Sequence, residues 1–228
     1  MEISISSADS GPGPKSVAVF DFDGTLTYSD SLLPFLRHAC GSWRFLASLV
    51  LLVPLVILAR LGLLPDQAAK ERYLTWMIGG KDRNELESLA ISFAKGPLRR
   101  LENPEALEEL QRHRDQGHRL VLLSASPDLY LEPWGRARGF HDIVSTRLEF
   151  RNGSATGRIL GANCKGAEKL HRMRDLLPDW DDCESWAYGD SPSDQPLLKT
   201  ARHAFFKPFR TRPGWNRQCL GAWIRSMG

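Results

Sequence analysis

The sequence predicts an α/β fold, a doubly wound parallel sheet of Rossmann-like type carrying an inserted all-helical cap. Three observations predict it. An apolar run, Val17–Phe20, leads directly into Asp21-Phe-Asp23-Gly-Thr25, the pattern of a strand buried on both faces and ending in polar residues. Residues 31–103 then carry helix-type patterning with no strand signal. From Pro104 onward, short apolar strands alternate with helical segments, which is the order of βαβ units.

Each element follows from its residues. Residues 1–15 are rich in Ser, Gly and Pro and lack an apolar core, so they read as a mobile tail and not as a signal peptide. Their Gly11-Pro-Gly13-Pro-Lys15-Ser16 is a poor phosphate-binding loop, because prolines remove amide donors and the segment precedes its strand. Within the cap, helices are expected over Trp43–Leu64 and over Pro65–Gly79, the latter opened by Pro65-Asp66. Lys81–Ala94 follows, with Leu86, Leu89, Ala90 and Phe93 at helical spacing. Pro104–Gln116 is a helix ended by Gly117, and Arg119–Leu123 is a strand reaching Ser124-Ala125-Ser126. Asp128–Arg138 is a helix closed by Gly139, before a short strand near Ile143-Val144. Asn152-Gly153 between Arg147–Phe150 and Ala155–Leu160 signals a hairpin. Cys164–Leu177 is a helix stopped by Pro178, and Ser185–Tyr188 is a strand opening into Gly189-Asp190-Ser-Pro-Ser-Asp194. A helix over Asp194–Ala201 and a strand over His203–Phe206 complete the series. The expected organisation is a core of residues 16–30 and 104–208, a cap of residues 31–103, and tails at 1–15 and 209–228.

Composition narrows the function. A net charge of +3 over 228 residues is too small to imply nucleic-acid binding. The charge is uneven: from Lys207 to Gly228 stand Lys207, Arg210, Arg212, Arg217 and Arg225 without an acid. Cys40, Cys164, Cys183 and Cys219 show no Cys-x-x-Cys spacing and read as reduced thiols of a cytoplasmic protein. The histidines form no i, i+4 pair, which leaves His-based metal or triad chemistry with little support.

Chemistry concentrates at the strand ends, where ligands of open α/β sheets bind. Asp21 and Asp23 can divide labour, one as nucleophile and one as proton carrier; the plainer alternative is a solvated Asp-Gly turn. The Ser124 hydroxyl and the amides that follow, beginning with Ala125, can hold phosphate oxygens, or Ser124 can cap the next helix. Lys165 can neutralise a bound phosphate or sit on a solvated face. Asp190 and Asp194 lie in a Gly/Ser/Pro turn as ligands or as a capped loop. Oxygen-only donors without His or Cys favour a hard ion, Mg²⁺.

The order Asp21-x-Asp23-Gly-Thr25, Ser124, Lys165, Gly189-Asp190-x-x-x-Asp194 resembles the haloacid dehalogenase superfamily of phosphohydrolases. The helical insertion after the first motif looks like the phosphoserine phosphatase branch. The resemblance implies that Asp21 attacks phosphorus and carries a transient aspartyl-phosphate. Asp23 would protonate the leaving oxygen and then take a proton from water. Mg²⁺ would be held by the Asp21 carboxylate, the Asp23 main-chain carbonyl and Asp190, with Asp194 orienting ligands or Lys165. Ser124, Ala125 and Lys165 would bind phosphoryl oxygens, and Thr25 would buttress Asp23. Because halide departure needs no proton, Asp23 argues against dehalogenation. In phosphoserine phosphatases an acid and a cap arginine hold the amino acid; Asp30 and Arg72 stand near those places, and Asp30 can equally cap the helix that starts at Ser31. A phosphotransferase or a non-catalytic phosphate-binding protein are the rival readings.

Phe45–Ala59 is fifteen residues with Ser48 its only polar member, flanked by Arg44 and Arg60. That falls short of the roughly 18–20 residues a spanning helix needs, and Pro54 interrupts it. The bland expectation is an oily helix hidden against other cap helices. The alternative is a cap facing an anionic membrane surface, as in a lipid-phosphate phosphatase of the phosphatidylglycerophosphate type, with the protein peripheral to the membrane.

Overall fold

The structure is a computed structural model that describes residues 16–209. The expected N-terminal tail, nearly all of the basic C-terminal tail, and Cys219 lie outside the described residues. Five parallel strands form the sheet: β1 (Ser16–Phe20), β2 (Arg119–Pro127), β3 (Asp142–Thr146), β6 (Glu184–Gly189) and β7 (His203–Phe206). Their order is β3-β2-β1-β6-β7. The chain leaves β1 in one direction for β2 and β3, then returns to the other side for β6 and β7. That reversal opens a crevice at the carboxyl end of β1, where such folds bind ligands.

Strand β1 shows why both faces need cover. Val17 and Val19 join Val121 and Leu123 in one core layer, with Met173, Leu177 and Trp180. Ala18 and Phe20 join Leu120 and Leu122 in the other, with Leu110, Tyr130 and Trp134. Helices α5 (Pro104–Asp115) and α6 (Asp128–Ala137) supply the second layer, α7 (Ala167–Leu176) and α8 (Gln195–Leu198) the first. Alternation along a strand between two covered faces is what a parallel sheet requires.

The insertion is helical throughout: α1 (Leu32–Cys40), α2 (Ser42–Arg60), α3 (Asp66–Ile78) and α4 (Arg83–Lys95), then a 3-10 turn at Pro97–Arg100. Asp82 caps α4, its carboxylate accepting from Asn84 and Glu85 amides at 2.8 and 3.1 Å. Phe35 of α1 packs on Phe93 and on Tyr130 with ring centroids 5.5 and 4.9 Å apart, tying the insertion to α6. The hairpin β4 (Leu148–Arg151) and β5 (Ser154–Ile159) lies against α3. Gly157 at φ 79° makes that approach possible, since a Cβ there would fall 2.2 Å from Thr75 Cα.

Two expectations are corrected here. Helix α7 starts at Ala167, because Gly166 adopts φ 64° and breaks the chain away from a helix at Cys164. Helix α2 is not hidden. Phe45, Ser48 and Leu55 are buried along its inner edge, whereas Trp43, Val50, Val53, Ile57 and Leu61 stand open.

Candidate active site

The site is assembled where β1 and β6 end. Asp21 follows β1 directly, its amide bonded to the Tyr188 carbonyl at 2.9 Å, so the sheet fixes its position. The Asp21 carboxylate accepts a 2.6 Å bond from Lys169 Nζ. The same ammonium donates at 2.6 Å to Asp194. Lys169 is buried, and desolvation opposes its charge, but the Asp21 and Asp194 carboxylates outweigh that and hold it firmly protonated. Burial pushes the Asp21 carboxyl up to about 6, with Lys169 opposing the rise and Asp194 adding to it. Asp194 moves the other way: burial works against its charge, yet Lys169 and the Ser191 donors hold its carboxyl below the usual range.

Asp21, Asp190 and Asp194 present carboxylate oxygens within 4.8 Å of one another. Three carboxylates facing one ammonium leave an excess of negative charge that a divalent cation would balance. All donors are oxygens, which suits Mg²⁺. Two glycines make the cluster possible. A Cβ on Gly24, at φ 84°, would lie 2.4 Å from Asp190 Oδ2, and one on Gly189 would meet Asp194 Cβ at 2.6 Å. The Phe22–Leu26 turn therefore presses its backbone against the acids, as a backbone contribution to a bound ion needs.

Asp23 points away from this cluster. Its Oδ1 accepts from the Ser31 amide at 2.8 Å and its Oδ2 from the Ser126 hydroxyl. Ser31, Ser126 and Tyr130 complete a buried hydroxyl network, Tyr130 donating to Ser126 Oγ at 3.0 Å with its oxygen 2.9 Å from Ser31 Oγ. Burial, and then the Asp30 carboxylate, push the Asp23 carboxyl up to about 8, which favours its protonated form. Ser124 is buried within β2, which runs on past the expected end at Leu123 to Pro127, and its Oγ accepts from the Ser126 amide at 3.1 Å.

The structure redistributes the remaining expected residues. Lys165 is half-exposed and pairs with Asp66, so the buried lysine of the site is Lys169, one helical turn later. Lys169 and Met173 share the inward face of α7, a position where an unpaired lysine would be costly. Thr25 is buried, but its Oγ1 finds no hydrogen-bond partner, so it does not brace Asp23 through that hydroxyl. Arg72 turns into an outer cleft, away from the carboxylates. The α3 residue that reaches the catalytic side is Lys70, donating to the Ala125 carbonyl at 2.7 Å and to Asn163 Oδ1 at 3.2 Å. Burial draws its ammonium down to about 8, with Asp30 and Asp23 holding it up. Asp30 caps α1, accepting from the Leu32 amide at 2.9 Å, and lies in electrostatic reach of Lys70 and Asp23. Sequence reasoning missed Lys70 and Tyr130, since nothing local marks a cap lysine or a helix tyrosine as facing a site.

The family model for haloacid dehalogenase-like hydrolases matches residues 18–199. The chain is a haloacid dehalogenase-like hydrolase. Protein CicA of Caulobacter vibrioides is 34% identical to it over 210 residues, covering 89% of this chain and 90% of that one. A protein of unknown function from Bordetella pertussis Tohama I superposes with a TM-score of 0.69 at 25% identity, over 82% of this chain and 86% of that one. A phosphoserine phosphatase captured as a phospho-aspartyl intermediate analogue superposes with a TM-score of 0.57 at 19% identity, over 82% and 84%, which is a likeness of fold. The α/β core with its helical insertion thus has the fold of this family.

Proposed function

We propose that this haloacid dehalogenase-like hydrolase is a Mg²⁺-dependent phosphomonoesterase working through an aspartyl-phosphate on Asp21. One observation carries the reading: a buried lysine grips Asp21 and Asp194 at 2.6 Å each, within a carboxylate cluster at the crevice of the sheet. An Asp21 oxygen attacks phosphorus while the bond from phosphorus to the ester oxygen breaks, and Asp23 gives its proton to the departing oxygen. Water then attacks the aspartyl-phosphate, Asp23 takes the water proton, and the Asp21 carboxylate is restored with release of phosphate. Lys169 holds the nucleophile in place and, with Ser124 and the Ala125 amide, offers hydrogen bonds and positive charge to phosphoryl oxygens. Asp21, Asp190 and the Asp23 carbonyl would hold Mg²⁺, with Asp194 positioning Lys169 and the Asp190 loop. The ion supplies charge neutralisation for an anionic nucleophile approaching an anionic ester.

The substrate we propose is a small phosphomonoester of the phosphoserine type. Asp30 and Lys70 lie within electrostatic reach of each other and of Asp23, a carboxylate and an ammonium that could meet an amino group and a carboxylate. The test is a panel of soluble phosphomonoesters, amino-acid and aryl, assayed with Mg²⁺ and with chelator. Mg²⁺-dependent release of phosphate is the expected result. Undiminished hydrolysis in excess chelator, or no hydrolysis of any ester, would refute the proposal.

A further inference from the structure

Helix α2 carries an apolar stripe that the protein does not cover. Trp43, Leu46, Val50, Val53, Ile57 and Leu61 recur at three- and four-residue intervals along one face. Val50 is 81% and Leu61 66% exposed. The helix runs nineteen residues at a mean hydropathy of 2.1, with 17% of it buried. A contiguous exposed apolar face of this length marks a contact surface, whereas scattered single residues would not.

The opposite edge of α2 is committed to the fold. Ser48 Oγ lies 2.7 Å from Tyr73 OH of α3, and Phe45 and Leu55 join the main core. The helix is therefore held to the protein along its inner edge while its outer face stays open, although by length and composition alone it is also apolar enough to cross a membrane. Charge indicates the surface it meets. No Asp or Glu occurs between Asp30 and Asp66, while Arg37, Arg44 and Arg60 do. Next to the stripe, a cleft of about 690 Å³ opens between α3 and the hairpin, lined by Leu51, Arg72, Trp76, Glu149 and Arg158 among others. Its acids are engaged: Glu149 binds Arg151 and Thr156 at 2.7 and 2.8 Å, and Glu71 accepts from the Ile159 amide at 3.1 Å. Arg158 lies within electrostatic reach of Glu149, but neither its guanidinium nor that of Arg72 makes a hydrogen bond among the described residues. Guanidiniums beside Leu and Trp side chains match a phosphate joined to an acyl chain.

We propose that the outer face of α2, with the Arg72–Arg158 cleft beside it, docks this protein onto an anionic phospholipid bilayer. The stripe enters the boundary between headgroups and acyl chains, and the two guanidiniums meet lipid phosphates. This surface is separate from the catalytic carboxylates. On α3, Lys70 and Arg72 lie two residues apart, which turns them to opposite sides of the helix, one to each site.

Vesicle sedimentation of the full chain tests it. Wild-type protein should pellet with equimolar phosphatidylglycerol and phosphatidylcholine vesicles at low salt, and partition at least about tenfold less into phosphatidylcholine alone or at high salt. Val50→Glu with Ile57→Glu should cut pelleting at least about tenfold while hydrolysis of a soluble aryl phosphate stays at the wild-type rate. Arg72→Gln with Arg158→Gln should erase the preference for anionic vesicles. Absence of wild-type pelleting at low salt would overturn the proposal, as would pelleting unaffected by the Glu pair. Retained anionic preference in the Gln pair would remove the cleft from it. A wild-type dimer in light scattering that the Glu pair dissociates, without vesicle binding, would assign the face to a second copy of the chain instead.

Discussion

Lys169 touches both carboxylates that the chemistry needs, and Lys165 touches neither. Lys169→Met should lower kcat/KM at least about a thousandfold, the scale of losing a preorganised charge at a phosphoryl site. It should also destabilise the fold by roughly 3 kcal/mol, because two buried carboxylates lose their counter-charge. Lys165→Ala should change steady-state kinetics less than about threefold, in line with an exposed pair. Near-wild-type turnover in Lys169→Met would contradict this assignment. Gly24 makes a second case: Gly24→Ala places a methyl where Asp190 stands and forces a left-handed φ on a residue with a Cβ. Mg²⁺ titration by calorimetry should show affinity weakened at least about tenfold, and unchanged affinity would separate Asp190 from metal binding. The acids were legible in the sequence because Asp21, Asp23 and Asp190 fall at or just beyond the ends of apolar strands. Lys169 was not, because its place depends on where α7 begins, and Gly166 moves that start past Lys165. Thr25 and Arg72 were misread for a related reason: a motif position says which residue is near a site, not what its last atoms reach.

Helix α3 serves two sides. Lys70 reaches Ala125 and Asn163, while Arg72 opens into the outer cleft. Lys70→Ala should raise KM for an amino-acid phosphate about tenfold or more and leave kcat nearly unchanged, since it is placed to bind and not to react. Arg72→Ala should leave that KM within about twofold. Equal KM effects from the two would show that α3 does not sort its residues in this way. Strand order and helix series were readable because parallel strands announce themselves as unbroken apolar runs, and because Pro104, Gly117 and Gly139 punctuate the helices between them. The state of α2 was not readable. Its composition fits a buried helix and an exposed one equally, and only the placement of α1 and α3 along a single edge decides which.

Across the molecule, the two core layers are joined to the site through β1 and β6, so groups beneath the sheet report on the fold that holds it. His113 is buried, with Nε2 2.8 Å from Tyr188 OH and Nδ1 2.7 Å from His118 Nδ1. Burial, and then His118, bring its imidazole down to about 4. The folded state therefore resists a proton that the unfolded chain accepts near pH 6.5. Stability from this residue is complete above about pH 6.5 and is lost as pH falls toward 4, on the order of 2 kcal/mol. Urea unfolding between pH 7 and 4 should show that slope, and His113→Gln should flatten it; an unaltered slope would place the acid sensitivity elsewhere. Mg²⁺ should raise Tm by mass action, about 2.7 kcal/mol of stabilisation at a hundredfold excess over Kd, and chelator should reverse it. The central claim is that Asp21 becomes phosphorylated during turnover. Rapid acid quench of the enzyme with a labelled aryl phosphate, followed by peptide mass spectrometry, tests it most directly. The account predicts one phosphoryl group on Asp21 in wild-type protein and none in Asp21→Asn, which should also be inactive. Phosphate on another residue, or full activity in Asp21→Asn, would contradict it.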